Sequence, residues 1–197
     1  MKKSRTIAVL AALAVFAAFL LATASAYAQP DRSYKVLATT KTSTMQKEMQ
    51  DAGQLGYRFV AVQGGETAIG GSEVVVLMER IASDTTKYQY RLLATSKTST
   101  LERELQDAAN AGWEAVGQTV FDSAFGGDET VGILERSSET PPSIKYDYKL
   151  IATSKTSTLD KELQQAARDG YQAVAMTVGK TTFGGTELVV ITRKIIK

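Results

Sequence analysis

The feature that most constrains this chain is that its sequence repeats itself. Tyr34 to Arg80, Tyr90 to Arg136 and Tyr148 to Lys194 align without a gap. Lys-Thr-Ser-Thr recurs at Lys41–Thr44, Lys97–Thr100 and Lys155–Thr158, and a helical glutamate at Glu48, Glu104 and Glu162. Glycine followed by an aromatic recurs at Gly56-Tyr57, Gly112-Trp113 and Gly170-Tyr171, and Gly-Gly-x-Glu at Gly70–Glu73, Gly126–Glu129 and Gly184–Glu187. Short polar linkers, Ala82–Gln89 and Ser137–Asp147, separate the copies. Self-similarity of this kind means one supersecondary unit used three times, each copy leaning on its neighbours for burial.

The middle copy shows what the unit is. Tyr90 to Thr95 is short and apolar with turn chemistry behind it, which suits a strand. Ser99 with Glu102 three residues on has the spacing of a capping box, so Ser99 is the expected helix N-cap. Ser43 with Gln46 repeats the arrangement and Ser157 with Asp160 varies it. Leu101, Leu105 and Ala108 form one stripe of an amphipathic helix, matched by Met45, Met49 and Ala52 and by Leu159, Leu163 and Ala166. Gly112 ends the helix where a left-handed residue costs glycine least. Trp113 to Val120 reads as a second strand and, after a Gly-Gly turn, Thr130 to Arg136 as a third.

The predicted fold is therefore α+β: three tandem βαββ repeats at 34–80, 90–136 and 148–194, each a three-stranded, mainly antiparallel sheet with one helix. The helix reverses the chain, so the third strand is placed between the first two. Val74, Val76 and Met78 point one way from that strand and Val75 and Leu77 the other, so both faces need cover. A unit this short makes a marginal core by itself. The sheets are expected to pack on one another as a pseudo-threefold or a short row, with an edge-to-edge homo-oligomer as the alternative.

The N-terminus carries Lys2, Lys3 and Arg5, an uncharged apolar run from Ile7 to Ala22, and small residues ending in Ala26-Tyr27-Ala28. That is the pattern of a signal peptide over residues 1–28. A retained membrane anchor is the rival reading; the polar Gln29-Pro30-Asp31-Arg32 that follows favours cleavage and export to the periplasm or medium. Removing the leader takes three of the 23 basic residues and leaves 20 against 21 acidic ones, near neutrality. A general nucleic-acid binder carries a basic excess, and this chain does not. The sequence has no His and no Cys. Disulfides, thiolate nucleophiles, zinc sites with His or Cys ligands and Ser-His-Asp triads are thereby excluded.

The unit resembles the small bacterial domains grouped as domain-of-unknown-function family 4177, with their Tyr-Lys-Val opening strand, Leu-rich helix ending in Gly-Trp-Glu, and last strand closing on Arg. Leu101 to Val116, with Gly112-Trp113-Glu114-Ala115-Val116, carries the match best, and Leu134–Arg136 supports it. Copies one and three place Tyr57 and Tyr171 where the Trp stands. The resemblance implies a βαββ fold and no mechanism, since the family carries no established activity. A looser similarity is to dodecins, small βαββ flavin-storage proteins that assemble into shells and stack the flavin on a tryptophan in every protomer. Only Trp113 could serve that role here, so no cofactor is expected.

For function the recurring residues admit structural and chemical readings. Gly-Gly-x-Glu lies between strands, which favours a turn over a phosphate-binding loop. Glu48, Glu104 and Glu162 are expected to pair with strand cations such as Lys35, Arg91 and Lys149. Tyr57, Trp113 and Tyr171 are expected to be core or half-buried aromatics. Lys41-Thr42-Ser43-Thr44, Lys97-Thr98-Ser99-Thr100 and Lys155-Thr156-Ser157-Thr158 offer hydroxyls, free N–H groups and a cation at a helix start. That suits a phosphate, sulfate or carboxylate, unless the lysines are satisfied internally by Glu73, Glu129 or Glu187. The expected function is an exported, non-catalytic binding or scaffold protein whose partner is a protein or a small anionic ligand. The alternative is a small-ligand or enzymatic site at the repeat interfaces, which requires groups from two repeats to converge there.

Overall fold

The computed structural model describes residues 31–67, 71–122, 128–139, 144–180 and 185–196. The leader lies outside them, as do Gly70, Gly126, Gly127 and Gly184 of the Gly-Gly turns. The first repeat consists of β1 (Arg32–Thr39), α1 (Thr42–Gln54), β2 (Arg58–Thr67) and β3 (Gly71–Ile81). The second consists of β4 (Tyr88–Thr95), α2 (Thr98–Asn110), β5 (Glu114–Asp122) and β6 (Asp128–Ser137). The third consists of β7 (Lys145–Thr153), α3 (Thr156–Arg168), β8 (Gln172–Lys180) and β9 (Thr186–Ile196). The sheet orders are β1-β3-β2, β4-β6-β5 and β7-β9-β8, with every neighbouring pair antiparallel. The third strand of each repeat is thus central, as expected from a helix that reverses the chain so that the third strand opposes the first two.

Each helix ends as its glycine dictates. Gly56, Gly112 and Gly170 have φ of 84°, 82° and 88°. In each case the glycine N–H bonds three residues back and the following aromatic N–H bonds five residues back, to Ala52, Ala108 or Ala166. This paired closure satisfies two carbonyls that the last turn leaves open. The aromatic so positioned lies under a cation from the end of the central strand. Arg80 sits 5.3 Å from the Tyr57 ring centroid, Arg136 4.3 Å from that of Trp113, and Lys194 4.7 Å from that of Tyr171. The recurring Gly-aromatic and the recurring terminal cation are therefore one cation–π device.

The helix starts differ from expectation. Lys41, Lys97 and Lys155 occupy the N-cap position, and no side chain caps the first turn. Ser43, Ser99 and Ser157 lie inside the first turn and are exposed. The hydroxyls that act here belong to Thr39, Thr95 and Thr153. Each accepts the N–H of the lysine two residues on, at 3.2, 3.1 and 3.3 Å. This local turn bends the chain from strand into helix two residues early, which places the serine beyond the capping position.

The cores cross the repeat boundaries. Met45, Met49 and Ala52 of α1 share a cluster with Tyr88, Tyr90, Phe121, Val131 and Ile133 of the second repeat. Leu101, Leu105 and Ala109 of α2 pack with Tyr148 and Ile191 of the third. Among the described residues no further repeat covers α3, and its cluster of Ile151, Leu159, Ala166 and Val190 is the smallest of the three. Helix α1 lies against β4, and α2 against β7, more extensively than either does against its own sheet. Among the described residues no comparable contact between elements joins the third repeat to the first, so the repeats follow one another as an open row and do not close into a ring.

Candidate functional site

The second strands β2, β5 and β8 are sheet edges, and β5 packs against β2 on one side and β8 on the other at the junction of the repeats. Each carries a bulge where one residue, Val60, Val116 or Val174, interrupts the register with the central strand. A bulge bends and twists its strand. Two depressions follow the junction, one at the bulge end and one toward the Gly-Gly turns.

The bulge-end depression, about 410 Å³, is occupied by ion pairs between successive repeats. Arg58 Nε lies 2.9 Å from Glu135 Oε1, and Glu135 is only 5% exposed. Tyr90 Oη donates to Glu135 Oε2 at 2.8 Å while accepting the Phe59 N–H at 2.8 Å. Burial works against the Arg58 charge, but Glu135 outweighs it and holds the guanidinium above its ordinary value. Burial, and then the Glu135 carboxylate, push the Tyr90 phenol far above its usual range. At the next boundary the charges are exchanged: Arg193 Nη1 lies 2.6 Å from Glu114 Oε1, and Tyr148 Oη accepts the Ala115 N–H at 2.8 Å. Arg58 and Glu114 are equivalent positions, as are Glu135 and Arg193. These groups are paired with each other, which makes this end a clamp between repeats.

The other depression is a groove of about 740 Å³ that takes side chains from all three repeats. Lys41, Val62 and Glu73 come from the first, Gln118 and Thr119 from the second, and Met176 and Val178 from the third. Met176 and Val178 are more than half exposed. Gln118 is the exception in the opposite sense. It is 5% exposed, yet neither its amide nitrogen nor its carbonyl oxygen meets a hydrogen-bonding partner among the described residues. An amide left in that state costs about 1–3 kcal/mol, so its retention in a strand core requires a reason.

The Lys-Thr-Ser-Thr segments are not gathered into one site. Lys41 lines the groove, whereas Lys97 and Lys155 are exposed elsewhere and line neither depression. Among the described residues no ion pair joins Lys97 to Glu129 or Lys155 to Glu187. The helical Glu48, Glu104 and Glu162 also form no ion pair with Lys35, Arg91 or Lys149. Two of those cations turn to rings instead: Lys35 lies 5.6 Å from the Tyr57 centroid and Lys149 6.0 Å from that of Tyr171. A face-on ring offers a cation attraction without holding a long carboxylate side chain in place.

Gln118 was not among the residues singled out from the sequence, although a signal for it exists. The equivalent positions of the other copies are Val62 and Met176, so a polar residue stands in one repeat where the other two are apolar. Compared with known proteins, the chain matches no family model, no curated protein and no solved structure.

Proposed function

We propose that this is an exported, non-catalytic binding protein that receives its ligand in the groove between the three repeats. The buried amide of Gln118, unpartnered and on the wall of that groove, carries the reading. A ligand that supplies both a donor and an acceptor would satisfy both halves of the amide, as a peptide or another amide-bearing molecule does. Met176, Val178 and Val62 offer such a ligand an apolar flank, and Lys41 suits a carboxylate or other anionic end. Polar side chains such as Gln63, Thr119 and Thr177 alternate with the apolar ones along the groove, which suits a ligand that carries both kinds of group.

The test is native mass spectrometry of the protein recovered from its host compartment, for wild type and Gln118→Leu. The intact mass should begin at Gln29, and wild type should carry a bound species that Gln118→Leu loses. Retention of Met1 would overturn export. A species bound equally by both proteins, or by neither, would overturn the role of Gln118.

A further inference from the structure

The two internal boundaries are built to one plan, and each chain ends with both halves of that plan unused. At the first boundary Gln46 and Gln50 of α1 accept the edge N–H groups of Leu92 and Tyr90, each at 2.9 Å. At the second, Glu102 and Gln106 of α2 accept those of Leu150 and Tyr148, at 2.9 and 3.0 Å. A small residue lets the strand approach the helix: Gly53 on α1 and Ala109 on α2, both buried. A Cβ on Gly53 would run into the Tyr88 carbonyl and the Tyr90 ring. The tyrosine that crosses there is buried in both cases, Tyr90 to 3% exposure and Tyr148 to 4%.

The third helix and the first strand carry the same parts without partners. On α3 the equivalent residues are Asp160, Gln164 and Ala167, all exposed, and Leu163 is half-buried where Met49 and Leu105 are fully buried. On β1 the equivalents of Tyr90 and Leu92 are Tyr34 and Val36, 60% and 63% exposed. No helix side chain meets their edge N–H groups among the described residues. Solenoid rows finish in capping repeats with polar outer faces, and an exposed apolar edge strand is a template for pairing. This row has an apolar edge at one end and the helix face that fits it at the other.

We infer that the partner for these ends is a second copy of this chain, docked head to tail so that α3 of one molecule covers β1 of the next. The charges allow it. The position that holds Arg58 or Glu114 is Gln172 in the third repeat, and the position that holds Glu135 or Arg193 is Glu79 in the first. Gln172 is neutral and Glu79 already pairs with Arg32 at 2.7 Å, so these two positions set no like charges against each other at the new boundary. A contact between two different surfaces, repeated without closure, gives an open series of chains. The ends are separate from the groove, so this inference does not depend on the proposed ligand.

Sedimentation velocity and light scattering on Gln29–Lys197 test it, since the unit from Arg32 on packs by itself. Between about 1 μM and about 1 mM, the range in which a weak heterologous contact becomes populated, the mean mass should rise with concentration. Tyr34→Asp and Ala167→Arg should each remain at single-chain mass, and their melting temperatures should match wild type because both positions are exposed. Mixed together they should give one-to-one dimers and nothing larger, because each retains the half that the other lacks. Gln118→Leu should associate like wild type. A wild-type chain at single-chain mass throughout, as intramolecular ring closure would give, overturns the inference. So does association that neither substitution weakens.

Discussion

Three tyrosines at one repeat position show how a single side chain is decided by its surroundings. Tyr90 and Tyr148 cross a helix and each accepts a backbone N–H beside the bulge of the preceding repeat, whereas Tyr34 is exposed. Burial and then Glu135 raise the folded-state value of Tyr90 above the ordinary 10.0. A phenol raised in this way binds its proton more tightly folded than unfolded. Its contribution is fully present below about pH 10 and is lost as pH rises beyond that toward the folded value. Tyr171, pushed up to about 12 chiefly by its hydrogen bond to Asp147, adds a second loss between about pH 10 and about pH 12. Urea midpoints should therefore be flat from neutral pH to mildly alkaline pH and fall above it. Tyr90→Phe should lower the neutral midpoint and flatten that fall; an unchanged alkaline slope would contradict the assignment. Gln118→Leu should act in the opposite direction at neutral pH, raising stability by about 1–3 kcal/mol as an unpaired amide is removed.

At the scale of elements, the helices stand on their two ends and their buried stripe. The C-terminal end follows directly from Gly112 and its equivalents, because only a residue free of a Cβ adopts φ near +82° without strain. The N-terminal end depends on the threonine before the lysine. Ser99→Ala should change stability by less than about 0.5 kcal/mol, as expected of a surface substitution. Thr95→Val should cost about 1 kcal/mol, the usual net worth of one side-chain hydrogen bond. Thermal melts of the two variants separate these roles, and the reverse order would restore the serine as cap. The bulges are the third device at this scale. They lie at the clamp end of β2, β5 and β8, where Val60, Val116 and Val174 line the depression that holds the ion pairs.

Across the whole molecule, stability is shared because no repeat owns its core. α1 is roofed by β4 and α2 by β7, so removing a neighbour exposes Met45, Met49 or Leu105. The three repeats should unfold in one transition, followed equally by circular dichroism and by the fluorescence of Trp113, which lies in the middle copy. The isolated segment Tyr90–Arg136 should be largely unfolded or oligomeric. A monomeric segment with a sharp melt would show instead that each copy is stable alone. The exchanged pairs Arg58–Glu135 and Glu114–Arg193 keep the copies in order, since pairing the first repeat with the third would set Arg58 against Arg193.

The threefold βαββ order, the central third strand and, but for the half-buried Leu163, the buried helix stripes were legible in the amino-acid sequence, because each rests on local periodicity and on glycine. The cation–π pairs were half legible: the aromatic and the terminal cation both recur, but their meeting depends on strand register. Ser99 was misread because capping-box spacing does not reveal that Thr95 bends the chain first. The groove, the unsatisfied amide of Gln118 and the open ends were settled only by tertiary structure. The sequence carries the same tyrosine three times and distinguishes none of them. Tyr90 and Tyr148 are buried and Tyr34 is exposed because a row of three has only two internal boundaries, and burial depends on what lies next door in space.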